Sequence, residues 1–176
     1  MRSHCRTTVF ALLLTAVTAA HAQTAFRARV GLRGYRDPIA MDTVASEYMV
    51  NAPTGKTFAA AAQVFKTLGF KATVRDSVGG LIGNEEFSRT RTLVGSQLST
   101  WLNCGSGMTG PNADNYRITI ALMIIIDPAA NNTTRMRVGM VGSGANIVGN
   151  STEPVACGTT GRLEERIAQL IKDIAG

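Results

Sequence analysis

The sequence predicts an α+β fold: a two-layer sandwich in which an antiparallel sheet of about five strands carries three helices packed mainly on one face. Strand-period alternation comes first. Tyr116, Ile118, Ile120, Leu122, Ile124 and Ile126 share one face of a long strand, and Met136, Val138 and Met140 alternate with Arg135, Arg137 and Gly139 in a return strand. Helix-period stripes come second, at Phe58, Ala61, Ala62, Phe65 and Leu68 and again at Leu163, Ile167, Leu170, Ile171 and Ile174. Third, turn residues rather than long crossovers join the strands, so the sheet is antiparallel and the single apolar faces of the helices must cover one side of it.

Taken in chain order, the first element is not part of the fold. Arg2 and Arg6 precede an apolar run over residues 9–20, and Ala20-His21-Ala22 is an A-x-A cleavage site. This is the pattern of a cleaved secretory signal peptide, residues 1–22. The run is too short to span a bilayer, and no other stretch approaches about 18 uninterrupted apolar residues, so no integral membrane span is expected. Cys5 lies before the run and not at the cleavage point, which argues against a lipid anchor. The working chain is then periplasmic or secreted, about 154 residues long and a single domain's worth of sequence.

Cleavage has chemical consequences. Both histidines, His4 and His21, leave, and loss of Arg2 and Arg6 takes the formal charge from +6 to +4. A chain without imidazole builds no Ser-His-Asp triad, no Cys-His pair and no histidine-ligated metal site, so no cofactor, metal or enzymatic activity is expected. Cys104 and Cys157 remain as an even pair in an oxidising compartment. They are expected to form a disulfide, closing a loop of about 50 residues worth about 3 to 4 kcal/mol.

Residues 23–44 read as a basic arm carrying Arg27, Arg29, Arg33 and Arg36 with Gly31, Gly34 and Pro38; whether it is ordered or flexible the sequence leaves open. The domain proper is residues 45–176. A short strand over 47–52 leads to Pro53-Thr54 and a helix that stops at Gly69. Phe70, Ala72 and Val74 alternate with Lys71, Thr73 and Arg75 as a strand, and residues 76–80 turn into a second strand over 81–87. Val94, Leu98, Trp101 and Leu102 fall at helical spacing, which predicts a short helix over 96–103 leading to Cys104. The long strand, the turn at Asp127-Pro128 and Asn131-Asn132, the return strand, a Gly-, Ser- and Asn-rich loop and a terminal helix over 160–174 complete the order.

The run Phe65-Lys66-Thr67-Leu68-Gly69-Phe70, followed by Asp76-Ser77-Val78-Gly79-Gly80-Leu81-Ile82, resembles the helix-to-hairpin unit of BamC-like envelope domains. The resemblance covers about 30 residues. It implies a catalytically inert helix-plus-sheet module of the cell envelope, while the missing lipid-anchor cysteine and the expected disulfide depart from that family.

Few residues point to chemistry. Gly142-Ser143-Gly144 and Gly149 follow a strand, but no helix begins there to complete a phosphate cradle. Glu85 and Glu86 are adjacent on a strand and point to opposite faces. With Phe70, Val74, Ile118 and Met136 inward, the opposite sheet face collects Lys71, Arg75, Arg117, Arg135 and Arg137, with Arg89 and Arg91 near its edge. Such a face can hold anions bidentately or can be ordinary solvated surface. Along the long strand that face turns apolar at Ala121, Met123 and Ile125, so the arm, the glycine-rich loop or another protein should cover it. Nucleic acid is not an expected partner, since no closely spaced aromatics accompany the basic residues. The reading is an exported, non-enzymatic binding or assembly module, its partner an envelope protein or an anionic envelope component. The alternative is a protein that holds a small apolar ligand between helices and sheet. Asn131, Asn132 and Asn150 each open an N-x-S/T sequon.

Overall fold

The computed structural model describes residues 28–147 and 153–176. The expected signal segment, residues 23–27 of the arm, and residues 148–152 with Gly149 and Asn150 lie outside the described residues.

A small hairpin, β1 (Arg29–Val30) with β2 (Ile39–Ala40), runs into the single turn α1 (Met41–Val44) and the strand β3 (Ser46–Val50). Helix α2 (Thr54–Thr67) starts after Pro53. It ends where Gly69, at φ +74°, turns Phe70 back so that its N–H reaches the Phe65 carbonyl at 2.8 Å. That closure needs a left-handed residue, which glycine adopts without steric penalty. Strands β4 (Val74–Asp76) and β5 (Leu81–Thr90) form the first hairpin, its turn held by the Asp76 carboxylate, which accepts from the N–H groups of Val78 and Gly79. Gly80, at φ +66°, lies against the Ile126 carbonyl with no space for a Cβ.

Six short elements follow: β6 (Thr92–Leu93), β7 (Ser96–Gln97), a 3-10 turn Leu98–Thr100, β8 (Leu102–Asn103), and the hairpin of β9 (Ser106–Gly107) with β10 (Gly110–Pro111). The one-turn helix α3 (Asn112–Asn115) delivers the chain to β11 (Arg117–Pro128), which pairs along its whole length with β12 (Thr134–Ala145). Strand β13 (Val155–Thr159) and helix α4 (Arg162–Ala175) close the chain.

The main sheet has seven strands in the order β4-β5-β11-β12-β13-β8, with β3 pairing β12 beside β13. Every pairing is antiparallel. The fold is α+β, but the expected five strands under three helices are corrected: the chain is richer in strand, and only α2 and α4, of 14 residues each, are long helices. The expected helix over 96–103 is the main error. Val94 and Gly95 both take positive φ, 49° and 77°, as the two-residue loop of the β6–β7 hairpin, which breaks any helix entering from that side. Leu98, Trp101 and Leu102 are all buried, yet by a 3-10 turn followed by a strand, with the Trp101 indole N–H donating to the Leu93 carbonyl at 2.8 Å. Apolar spacing reported burial correctly and the backbone incorrectly.

Helices α2 and α4 cover one sheet face. Phe58, Val64, Phe65, Leu163, Ile167 and Ile171 meet Ile118, Ile120, Leu122, Ile124, Met136, Val138 and Met140 in one continuous core. The opposite face is covered as well. Ala28, Val30, Leu32 and Met41 from the expected arm are buried against Leu81, Ala121, Met123, Ile125 and Val141. Residues 28–44 are therefore a folded strap, and of the covers the sequence left open it is the arm that lies over this apolar run. Its tip is pinned: the Tyr35 hydroxyl lies 3.1 Å from the carbonyls of both Gly142 and Cys157, and Ser143 Oγ donates to the Arg33 carbonyl. A strand buried on both faces reads as a continuous apolar run, which is why residues 120–126 carry no polar side chain. No helix of the described residues is long and apolar enough to cross a membrane.

Candidate functional site

The arginine-bearing residues read from the sequence are not brought together. Arg75 stands opposite Ile82, whose side chain faces the helices, and its guanidinium lies 6.0 Å above the Phe58 ring. The alternation expected over 70–75 fails because Phe70 closes helix α2 and β4 begins only at Val74, which packs under the strap. Lys71 is exposed ahead of β4, its carbonyl accepting from the Asn84 side chain at 2.6 Å. Arg117 and Arg135 do lie on the same sheet face, but at opposite ends of the β11–β12 ladder, ten residues or about 33 Å apart at ordinary strand rise. Arg137 is mostly buried and committed to Asp127 at 2.7 Å. Met123 and Ile125 are 2% and 1% exposed beneath the strap, so they present no apolar patch to a partner. The space between helices and sheet, the alternative ligand site, is occupied by the side chains of the main core.

What the structure does assemble lies at the end of the sheet where β5 finishes, β11 begins and β12 finishes. A cleft of about 570 Å³ is lined by Thr90 and Arg91 at the end of β5, Gly107, Met108 and Thr109 of the β9–β10 hairpin, Asn112, Asp114, Asn115 and Tyr116 of α3 and its C-terminal end, and Asn146 and Ile147 after β12. That volume is in the range of small-ligand sites. Local chemistry fixes the hairpin wall. The Asn115 amide donates to the carbonyls of Thr109 at 3.3 Å and Pro111 at 3.0 Å, and the Asn112 amide donates to that of Cys104 at 3.1 Å. Asp114 accepts the Ser99 N–H at 2.8 Å, tying α3 to the 3-10 turn. The Cys104–Cys157 disulfide anchors the base of the same wall to β13, as the paired cysteines led one to expect.

The lips of the cleft are apolar and open. Met108 at the hairpin tip is fully exposed and Ile147 is 54% exposed. Arg91 takes a left-handed φ of 64°, an uncommon conformation for a side-chain-bearing residue and one that clusters at functional positions. No protein-family model matches the chain and no curated protein matches its sequence. Among the described residues no three His, Cys, Asp or Glu side chains gather in a way that would hold a metal ion. Sequence reasoning placed Arg91 near a sheet edge and Arg117 on the sheet face but missed Met108, Asn112 and Asn115. The only local signal for them was a Gly-Ser-Gly-Met-Thr-Gly-Pro-Asn run, which marks turns without saying what they enclose.

One ionisable group stands apart from the cleft. Glu164, in the first turn of α4, is 1% exposed, with Oε2 lacking a hydrogen-bond partner. Burial pushes its carboxyl above the ordinary carboxylate range, opposed by hydrogen bonds from the Thr159 side chain and its own backbone. The folded chain thus holds the Glu164 proton more tightly than the unfolded chain does. Stability from this group is full below the unfolded pKa and declines as pH rises through the raised folded value. Glu164→Gln is expected to flatten that decline and to raise stability at neutral pH by about 1 kcal/mol. Urea unfolding between about pH 4 and pH 8 measures it, and a wild-type stability that rises across that window would refute it.

Proposed function

We propose that this chain is an exported, non-catalytic binding module that works through the cleft at the end of its sheet. The carrying observation is a cleft of about 570 Å³ whose hairpin wall is held by side-chain amides and whose lips, Met108 and Ile147, are left in solvent. Exposed methionine is adaptable and suits a surface that closes on another molecule. The signal-peptide pattern over residues 1–22 and the Cys104–Cys157 disulfide support export. A binding role is supported over catalysis by the lining itself, whose one carboxylate, Asp114, is already engaged by Ser99.

Methyl NMR of the labelled protein against a mixture of short peptides and small organic molecules tests the reading. Shifts should concentrate at Met108 and Ile147 and spare Met49 and Val78, which are exposed elsewhere. Met108→Asp should remove them without loss of folding, because Met108 contributes nothing to the core. Equal shifts at Met49 and Val78 would reduce the cleft to ordinary apolar surface.

A further inference from the structure

We propose that the cleft's ligand is an acidic peptide segment carrying at least one apolar side chain, an inference that rests on the cleft being the binding site. The argument is one of charge and of what the cleft leaves unused. Arg91 lines the cleft, and Arg117 pairs directly with Thr90, another lining residue, which places the two backbones about 5 Å apart. Arg89 stands one residue further along β5, 5.1 Å above the Phe87 ring with a hydrogen bond to the Ser88 carbonyl. Neither Arg91 nor Arg117 is ion-paired among the described residues, and both are exposed. The single acidic lining residue, Asp114, spends one carboxylate oxygen on the Ser99 N–H. This end of the sheet is therefore a local excess of guanidinium groups, each able to grip a carboxylate through two parallel hydrogen bonds.

The rest of the lining selects among anions. A free inorganic anion would make no use of the apolar lips Met108 and Ile147 or of the half-buried Tyr116. A flat anionic membrane would meet a projecting tip such as Met108 but would leave the cleft volume behind it unfilled. A peptide uses all of these: carboxylates on Arg91 in the cleft and on Arg117 beside it, an apolar side chain between Met108 and Ile147, and main-chain amides against the hydroxyls of Thr90 and Thr109.

Two capped tetrapeptides serve as probes, acetyl-Glu-Leu-Glu-Leu-amide and its acetyl-Gln-Leu-Gln-Leu-amide counterpart, titrated by methyl NMR at low and high salt. The acidic peptide should bind at least about tenfold more tightly than the neutral one, with the advantage shrinking as salt screens the exposed charges. Arg91→Ala should remove about tenfold of that affinity, while Arg135→Ala, at the far end of the sheet, should leave it unchanged. Equal affinity for the two peptides, with both shifting Met108 and Ile147, would overturn the acidic preference and keep the cleft. No shift at Met108 or Ile147 from either peptide would overturn both. Binding to vesicles containing anionic lipid that Arg91→Ala weakens, with no binding of the acidic peptide, would replace the peptide by a membrane surface.

Discussion

Replacing Cys104 and Cys157 together by alanine is expected to lower the unfolding free energy by about 4 kcal/mol. The two cysteines are 53 residues apart in sequence, and closing a loop of that length removes conformational entropy from the unfolded chain that the open form would keep. For a domain whose whole stability lies in the range of about 5 to 15 kcal/mol, this is a large fraction. The bridge also has a local task. It joins β13 to the segment between β8 and β9, whose Cys104 carbonyl accepts the Asn112 side chain. Urea denaturation of the wild type and of the double variant measures the effect. A loss below about 1 kcal/mol would mean that the unfolded chain without the bridge already keeps these two segments close.

A chain that begins at Ala45 should lose still more. Without residues 28–44, the buried side chains of Val30, Leu32 and Met41 disappear, each worth about 1.5 to 3 kcal/mol of burial, and Ala121, Met123, Ile125 and Val141 face water. The expected outcome is a loss of about 5 kcal/mol or more, with dye binding to exposed apolar surface and self-association on size-exclusion chromatography. Tyr35→Phe tests the pin separately, since it removes the hydroxyl shared between the Gly142 and Cys157 carbonyls and keeps the ring. A truncated chain that stays monomeric with near wild-type stability would show that the strap contributes little to the fold.

The parts of the molecule that were legible share one property: their signal is local. Helix α2 was marked by Pro53 before it and Gly69 after it, and α4 by an apolar stripe through Leu163, Ile167 and Ile171 that the structure buries. The inward face of β11 was visible because alternate isoleucines outlast any turn. The pairing of Cys104 with Cys157 followed from there being two cysteines after residue 22 and an export pattern before it. Less visible were strands of two to five residues, such as β8 and β13, which are too short to express a period and exist because β13 or β12 offers them an edge. The face of Arg75 was misread for the same reason, since a strand that starts at Val74 instead of Phe70 no longer carries the parity assumed for it.

The apolar outward run Ala121, Met123 and Ile125 shows the division most sharply. The residues alone required that something cover it, because that much apolar surface costs free energy in water. Which segment does so was decided by tertiary structure, where Met41 donates its N–H to the Ala28 carbonyl and Tyr35 reaches across to β12 and β13. The same holds for the cleft. Its lining comes from the ends of β5 and β12, the start of β11 and the β9–β10 hairpin, segments spread from Thr90 to Ile147 that no local pattern links. Sequence by itself determined the long helices, the central hairpin and the disulfide, because periodicity, caps and cysteine count act over a few residues or by composition. Only the tertiary structure decided the seven-stranded sheet, the strap and the cleft, because these depend on which distant backbone edges and apolar faces meet.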